Sequence, residues 1–182
     1  MRQGQIIKKF ISKKGNEIIL RTPKQTDAKL LMEMINSVVQ ERDYILMTKK
    51  ATLAQEKVVL NKWLKEIKNK KKLHIVVVSN NKIIGGSEIT KGTGARSHVG
   101  RFGIVLMNGF REEGIGSIVM KEIIDLAKKV LKLKLVTLEV YGTNARAQGL
   151  YKKIGFKQIG TLPKAILRKG RYIEEHIMYK EL

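Results

Sequence analysis

The sequence predicts a single α/β domain, and three observations carry that prediction. Strand-like and helix-like segments alternate along the chain. The length of 182 residues suits one domain, or at most two very small ones. Hydrophobic residues make up 43%, enough to bury an ordinary core and to exclude wholesale disorder. No internal repeat, low-complexity tract or Pro/Gly/Ser linker divides the chain.

The elements follow in order. Residues 17–21 (EIILR) read as a strand. Thr22 to Asp27 carries a proline and N-cap residues, so a helix is expected from about Ala28 to Gln40. Its apolar positions Leu30, Leu31, Met34, Ile35 and Val38 recur at helical spacing. A second helix is expected over about 53–69, with Val58, Val59, Trp63, Leu64 and Ile67 on its buried side. His74 to Val78 is a β-branched run and therefore a buried strand. Asn80-Asn81 makes a turn, and 83–90 returns as the second strand of a hairpin. Gly85-Gly86 within it predicts a bulge or a close backbone approach. A third strand spans about 99–107. The turn FREEGIG leads into an amphipathic helix over about 116–131, striped by Ile115, Ile118, Val119, Ile123, Leu126, Ala127 and Val130. A strand at 135–141 is followed by a short helix from Asn144 to Ile154, stopped by Gly155. Strands at 156–160 and 172–179 close the chain.

Composition excludes several classes. With no Cys, there is no disulfide scaffold, thiolate nucleophile or Cys-type zinc site. No ligand cluster is visible, so no metal is expected. No apolar run approaches the ~20 residues that a membrane span needs. The opening MRQGQIIKKFISKK lacks a cleavage site for a signal peptide. The expectation is a soluble, cytoplasmic protein with no membrane partner.

The net charge of +21 admits two readings. One is a phosphate-rich partner such as nucleic acid. The other is a lysine-rich surface without a dedicated partner. The second is favoured, because the lysines are spread over the whole chain and aromatics are only 5%, too few for base-stacking platforms.

One segment carries chemistry. Arg111-Glu112-Glu113-Gly114-Ile115-Gly116 lies between a strand and a helix. Its glycines allow a sharp turn, and the first amides of the following helix have no intrahelical partners. Together they make an anion cradle suited to a phosphate or pyrophosphate. Alone, the pattern could equally be a tight strand-to-helix turn with no ligand. Further on stands LEVYGTNARAQGLYKKIGF, with Asn144, Ala147, Leu150, Tyr151, Gly155 and Phe156 at characteristic spacing.

With both segments in this order, the sequence resembles the GNAT superfamily of acyl-CoA-dependent N-acetyltransferases. The opening LRTPKQTDAKLL looks like that family's first strand and helix, so the resemblance covers nearly the whole chain. It implies a mixed, mostly antiparallel central sheet flanked by helices. It also implies that acetyl-CoA is the co-substrate, with its pyrophosphate on Arg111, Glu112, Glu113, Gly114, Ile115, Gly116 and Ser117. The strand 103–107 would pair with the pantetheine arm through the main chain of Ile104 and Leu106, with Val105 between them. An N–H near Leu106 would polarise the thioester carbonyl. Tyr151 is the candidate general acid, and Asn144 would contact the cofactor arm while capping its helix.

The general base is not legible. Glu88 and His98 lie on or beside central strands and are both candidates. Glu41, after the first helix, is a candidate for holding the acceptor amine. The acceptor reads first as an amino acid or other small amine, because VGRFGIVL, GFREEGIG and RYIEEHIMYKEL look like the amino-acid N-acyltransferase branch. A protein acetyltransferase acting on lysines or N-termini is the alternative. A non-catalytic basic module that binds CoA or nucleic acid is the alternative from another class. A homodimer is left open.

Overall fold

The computed structural model describes all 182 residues. β1 (Ile6–Ile11) and β2 (Glu17–Arg21) form a hairpin, followed by α1 (Ala28–Glu41) and α2 (Leu53–Lys68). β3 (Lys72–Ser79), β4 (Lys82–Lys91) and β5 (Val99–Leu106) come next, then α3 (Ile115–Val130) and β6 (Leu135–Tyr141). α4 (Ala145–Ile154), β7 (Lys157–Arg168) and β8 (Arg171–Glu181) complete the chain. All eight strands form one sheet in the order β1-β2-β3-β4-β5-β6-β8-β7. Only β5 and β6 run parallel, because α3 returns the chain across the sheet between them. The mixed, mostly antiparallel α/β architecture is the expected one.

Two apolar layers hold the sheet. The larger packs α3 and α4 on one face, around Val119, Ile123, Ala127, Leu138 and Met178. The smaller packs α1 and α2 on the other, around Leu31, Met34, Val38, Leu60 and Val76. The α3 stripe is buried as its periodicity predicts. α2 differs from expectation. Its buried side is Leu60 and Ile67, with Trp63 and Leu64 half-buried, whereas Val58 is 70% exposed and Val59 is exposed as well. Residues at i, i+3, i+4 and i+7 from Leu60 share one helical face, and Val58 falls on the opposite one.

Three further departures have local causes. β1 lies outside the expected elements because its pairing with β2 slips between Ile6 and Lys8. That bulge breaks the two-residue alternation, so Ile7 and Phe10 both reach the core. β7 continues past the expected end to Arg168 despite Pro163. The pairing shifts between Leu162 and Ile166, at the sheet edge, where a proline costs no ladder bond. Asp27 does not cap α1. It is buried and takes a bidentate bond from Arg21 (2.7 and 2.8 Å).

The expected bulge and close approach in β4 are both present. Pairing with β3 shifts between Val77 and Val78, and a Cβ on Gly85 would stand 2.4 Å from the Val105 carbonyl oxygen. Ile123 is fully buried beneath α3. Ile123→Asp would place an unpaired charge there and is expected to cost several kcal/mol. Thermal melting checks this, and an unchanged midpoint would detach α3 from the sheet.

Candidate functional site

β5 and β6 hydrogen-bond only over Val99 to Arg101 and Leu135 to Thr137. Beyond Arg101 they part, while β5 stays paired with β4 as far as Leu106. The opening is a cavity of about 950 Å³, at the upper end of ordinary cofactor and small-molecule sites.

Main-chain alternation decides which groups face it. The Met107 N–H donates to the Ile84 carbonyl, so in this ladder the odd-numbered residues of β5 spend their main-chain groups on β4. Those of Ile104 and Leu106 turn the other way, toward the departed β6. Arg111 Nε takes up the Leu106 carbonyl at 2.8 Å. Val105 is different from its two neighbours. Its main chain belongs to the β4 ladder, and it meets the cavity with its side chain.

The glycine turn closes the upper end. Gly114 stands at the N-cap of α3 with φ +80°, a conformation that favours glycine. Gly116 and Ser117 line the cavity, and a Cβ on Gly116 would press on Leu150 at 3.2 Å. Ile115, expected among the contact residues, is fully buried in the core and does not line the cavity. Glu112 is exposed at the rim.

Two predicted contact residues do other work. Glu113 turns inward, away from the cavity, where Ser12 Oγ (2.6 Å) and Asn16 Nδ2 (2.9 Å) donate to its carboxylate. Its carbonyl takes the Lys13 N–H, so Glu113 staples the glycine turn to the β1–β2 turn. These hydrogen bonds hold its carboxyl below the usual carboxylate range. Arg111 is clamped between Leu106 and Glu41. Glu41 also accepts the Asn108 N–H at 3.0 Å. Its carboxylate therefore braces the β5–α3 connection and is not free to hold an amine.

Tyr151 and Asn144 lie on the cavity as the motif requires. Asn144 Oδ1 accepts the Ala147 N–H at 3.1 Å, which is the expected cap. Its amide nitrogen makes no bond within the chain. Tyr151 packs against Phe102 and Phe156, with ring centres 6.2 and 6.1 Å away. Burial pushes its phenol up to about 12, so the group stays protonated and is a proton donor.

The two base candidates separate. His98 is exposed before β5 and does not line the cavity. Glu88 does line it, opposite Gly103. Lys72 Nζ bonds Glu88 at 2.7 Å, and His74 Nδ1 stands 3.4 Å from the same oxygen. Trp63 stacks on His74 at 4.0 Å and seals the group under α2. Burial raises the Glu88 carboxyl, but His74 and Lys72 outweigh it and bring the value down to about 2. Burial, partly offset by Glu88, lowers His74.

Sequence reasoning missed Tyr44, Glu139, Tyr141, Arg146 and Glu175, all of which line the cavity. Arg146 was accessible from sequence, being in the first turn of a helix already placed beside the motif. Glu139, Tyr141 and Glu175 depend on the β6–β8 register and Tyr44 on how the α1–α2 segment packs, for neither of which the sequence holds a signal. No group of three or more His, Asp or Glu stands together as a metal site, and no helix is long and apolar enough to cross a membrane.

The sheet splits beside a glycine-led helix N-terminus, which leaves an elongated opening between two strands. The family model of the acetyltransferase (GNAT) family matches residues 39–156, and the chain belongs to that family. L-amino acid N-acetyltransferase AaaT of Escherichia coli (strain K12) is 37% identical over 83 residues, 46% of this chain and 51% of that protein. The chain thus matches about half the length of that curated relative. An acetyltransferase of the GNAT family from Streptococcus pneumoniae superposes with a TM-score of 0.80 at 26% identity, over 91% of this chain and all of the other. The yncA protein of Salmonella typhimurium, solved with its cofactor acetyl-CoA, shares the fold at 14% identity and a TM-score of 0.79, over 91% of this chain and 94% of its own.

The Glu88 cluster has a pH signature. Its folded value, about 2, is depressed from 4.5, so its contribution to stability is complete above 4.5 and is lost as pH falls toward 2. Melting of wild type and Glu88→Gln should therefore differ at pH 7 and converge near pH 2. A constant difference would show that Glu88 is not held as the ionised partner of Lys72.

Proposed function

We propose that the chain transfers an acetyl group from acetyl-CoA to a primary amine by direct attack in a ternary complex. The observation that carries this reading is the strip of unclaimed main-chain donors on β5, beginning where the sheet splits and ending beside the α3 N-terminus. An extended amide-bearing arm fits the strip, and a pyrophosphate fits the free amides of Gly116 and Ser117. Arg146, in the first turn of α4, adds a positive charge at that end. The acetyl-CoA bound by yncA and the acetyltransferase activity named for AaaT support the same donor chemistry.

The chain's own groups divide the work. The strand and the helix N-terminus bind and orient the donor, supplying much of the rate by positioning. The Leu106 N–H is placed to stabilise negative charge on the thioester oxygen. Tyr151 donates a proton to the departing thiolate sulfur. Glu88, ionised near neutrality and bonded to Lys72, holds an ordered water at the cavity floor and is a weak proton acceptor. An amino acid or small amine is the favoured acceptor.

Acetyl-CoA binding followed by calorimetry checks the donor site. Gly114→Val and Gly116→Val should abolish binding while the circular dichroism of the fold survives. Unaltered affinity in both would displace the donor from α3. An acceptor screen reading free CoA, run over amino acids, amines and peptides, checks the reaction. With the best acceptor found, Tyr151→Phe should lower kcat about 10²-fold and leave the acetyl-CoA affinity nearly unchanged. Wild-type turnover in that variant would make Tyr151 a packing residue.

A further inference from the structure

The cavity carboxylates are not equivalent. Glu88 is bound to Lys72, and Glu139 is bound to Arg101 through both Nε and Nη2. Asp43 and Glu112 are exposed at the rim. Glu175 alone is half-buried on the cavity wall with neither a hydrogen bond nor an ion pair inside the chain. It sits on β8 directly opposite Tyr141 of β6, and the diagonal neighbour on the same face is Glu139.

Tyr141 is 93% buried, being only 7% exposed, and its hydroxyl has no hydrogen-bond partner. A buried, unpartnered phenol is costly unless something supplies the missing bond. Tyr44, from the segment between α1 and α2, stands edge-on to the Tyr141 ring at 5.7 Å. Its own hydroxyl donates to the Thr143 carbonyl at 3.1 Å, which ties that segment over the end of β6. Arg168 of β7 bonds the Ile45 carbonyl and closes the same corner from the hairpin side.

We propose that Glu175, flanked by Tyr141 and Tyr44, is the subsite that receives the acceptor as an ammonium cation. This deepens the acetyl-transfer reading and rests on it, because the subsite opens into the same cavity as the β5 strip. The chemistry is that of cation recognition: one carboxylate lacking a counter-charge, two aromatic rings whose faces favour a cation, and a phenol able to accept a hydrogen bond from an N–H. The acceptors selected are amines that enter protonated, with an aromatic or aliphatic group to cover the tyrosines.

Of the surrounding charges, Arg168 acts on the Tyr141 hydroxyl and opposes a second cation, but its guanidinium is tied to the Ile45 carbonyl. Glu139 on β6 adds negative potential, and Arg101 on β5 is already engaged by it. Burial raises the Glu175 carboxyl and Glu139 raises it further, with Arg101 opposing, as expected for a carboxylate still waiting for a cation. Lysine and arginine outnumber Asp and Glu 37 to 16 over the chain, so an amine must be drawn in by a local feature of this kind.

The test uses benzylammonium and its neutral analogue benzyl alcohol, each titrated into the full-length protein with and without CoA and followed by amide chemical shifts. Benzylammonium should move the signals of Tyr141, Gly142 and Glu175. Glu175→Gln should weaken its binding about ten-fold and leave benzyl alcohol unaffected. Tyr141→Phe, which keeps the ring, should weaken the cation less. Shifts that avoid these residues, equal affinity in Glu175→Gln, or an equal loss for the alcohol would each overturn the subsite. Failure of the acetyl-transfer reading shows separately, as CoA leaving the amides of Gly114 to Ser117 unmoved.

Discussion

The parting of β5 from β6 is the constraint on which the rest depends. A parallel pair needs a crossover, and here α3 supplies it, so the N-terminus of α3 arrives at the end of β5 where the strands separate. α4 begins at the end of β6 for the same topological reason. Two helix N-termini and one unpaired strand edge therefore meet in one place. An open edge inside a sheet would ordinarily be a liability, since its donors go unsatisfied. It persists because β4 holds β5 from the other side, and Gly85 lets the two strands come close enough for the Val105 carbonyl to sit where a side chain would be.

The opening is kept rigid by hydrogen bonds and ion pairs on its wall and behind it. Glu113 anchors the glycine turn to Ser12 and Asn16, across more than half the chain. Glu41 anchors Arg111, which in turn anchors Leu106. Lys72 anchors Glu88 under the Trp63 ring. Breaking one member of such a buried set leaves the other unpaired, which makes each a strong local determinant of conformation. Whatever the surplus of lysine does elsewhere, the cavity is lined by as many acidic side chains as basic ones. The excess charge thus lies on the outer surface.

Helices and central strands were legible from the sequence because their signals are local. The α3 stripe, the Asn144 cap and the Gly155 stop each depend on neighbours within two turns. The glycine turn and Tyr151 were legible because family motifs preserve their spacing. What was not legible depends on pairing between distant strands. The bulge at the start of β1 hides a strand by breaking its alternation, and Pro163 hides the second half of β7. Glu113 reads as a ligand contact because it lies inside the glycine motif; only the fold brings the β1–β2 turn to meet it. Val105 was grouped with Ile104 and Leu106, although alternation along β5 assigns its main chain to the opposite neighbour.

These points decide how the site's acids differ. A carboxylate in a cleft is usually read as a base because of its chemical type. Here the partner sets its role. Glu113, Glu41, Glu88 and Glu139 each have a donor or cation supplied by the fold, and each loses freedom of movement in exchange. The depressed value of Glu88, about 2, is the clearest case: the same Lys72 bond that fixes its position removes its capacity to take a proton near neutrality. Tyr151 is the converse. Its apolar surroundings of Phe102 and Phe156 stabilise the protonated phenol and suit it to donate. In the proposed reaction, proton acceptance from an amine falls to a group that the fold has left unpaired, or to water held beside one. The Lys72 bond and the depressed value together make Glu88 a poor unaided base even though it lines the cavity.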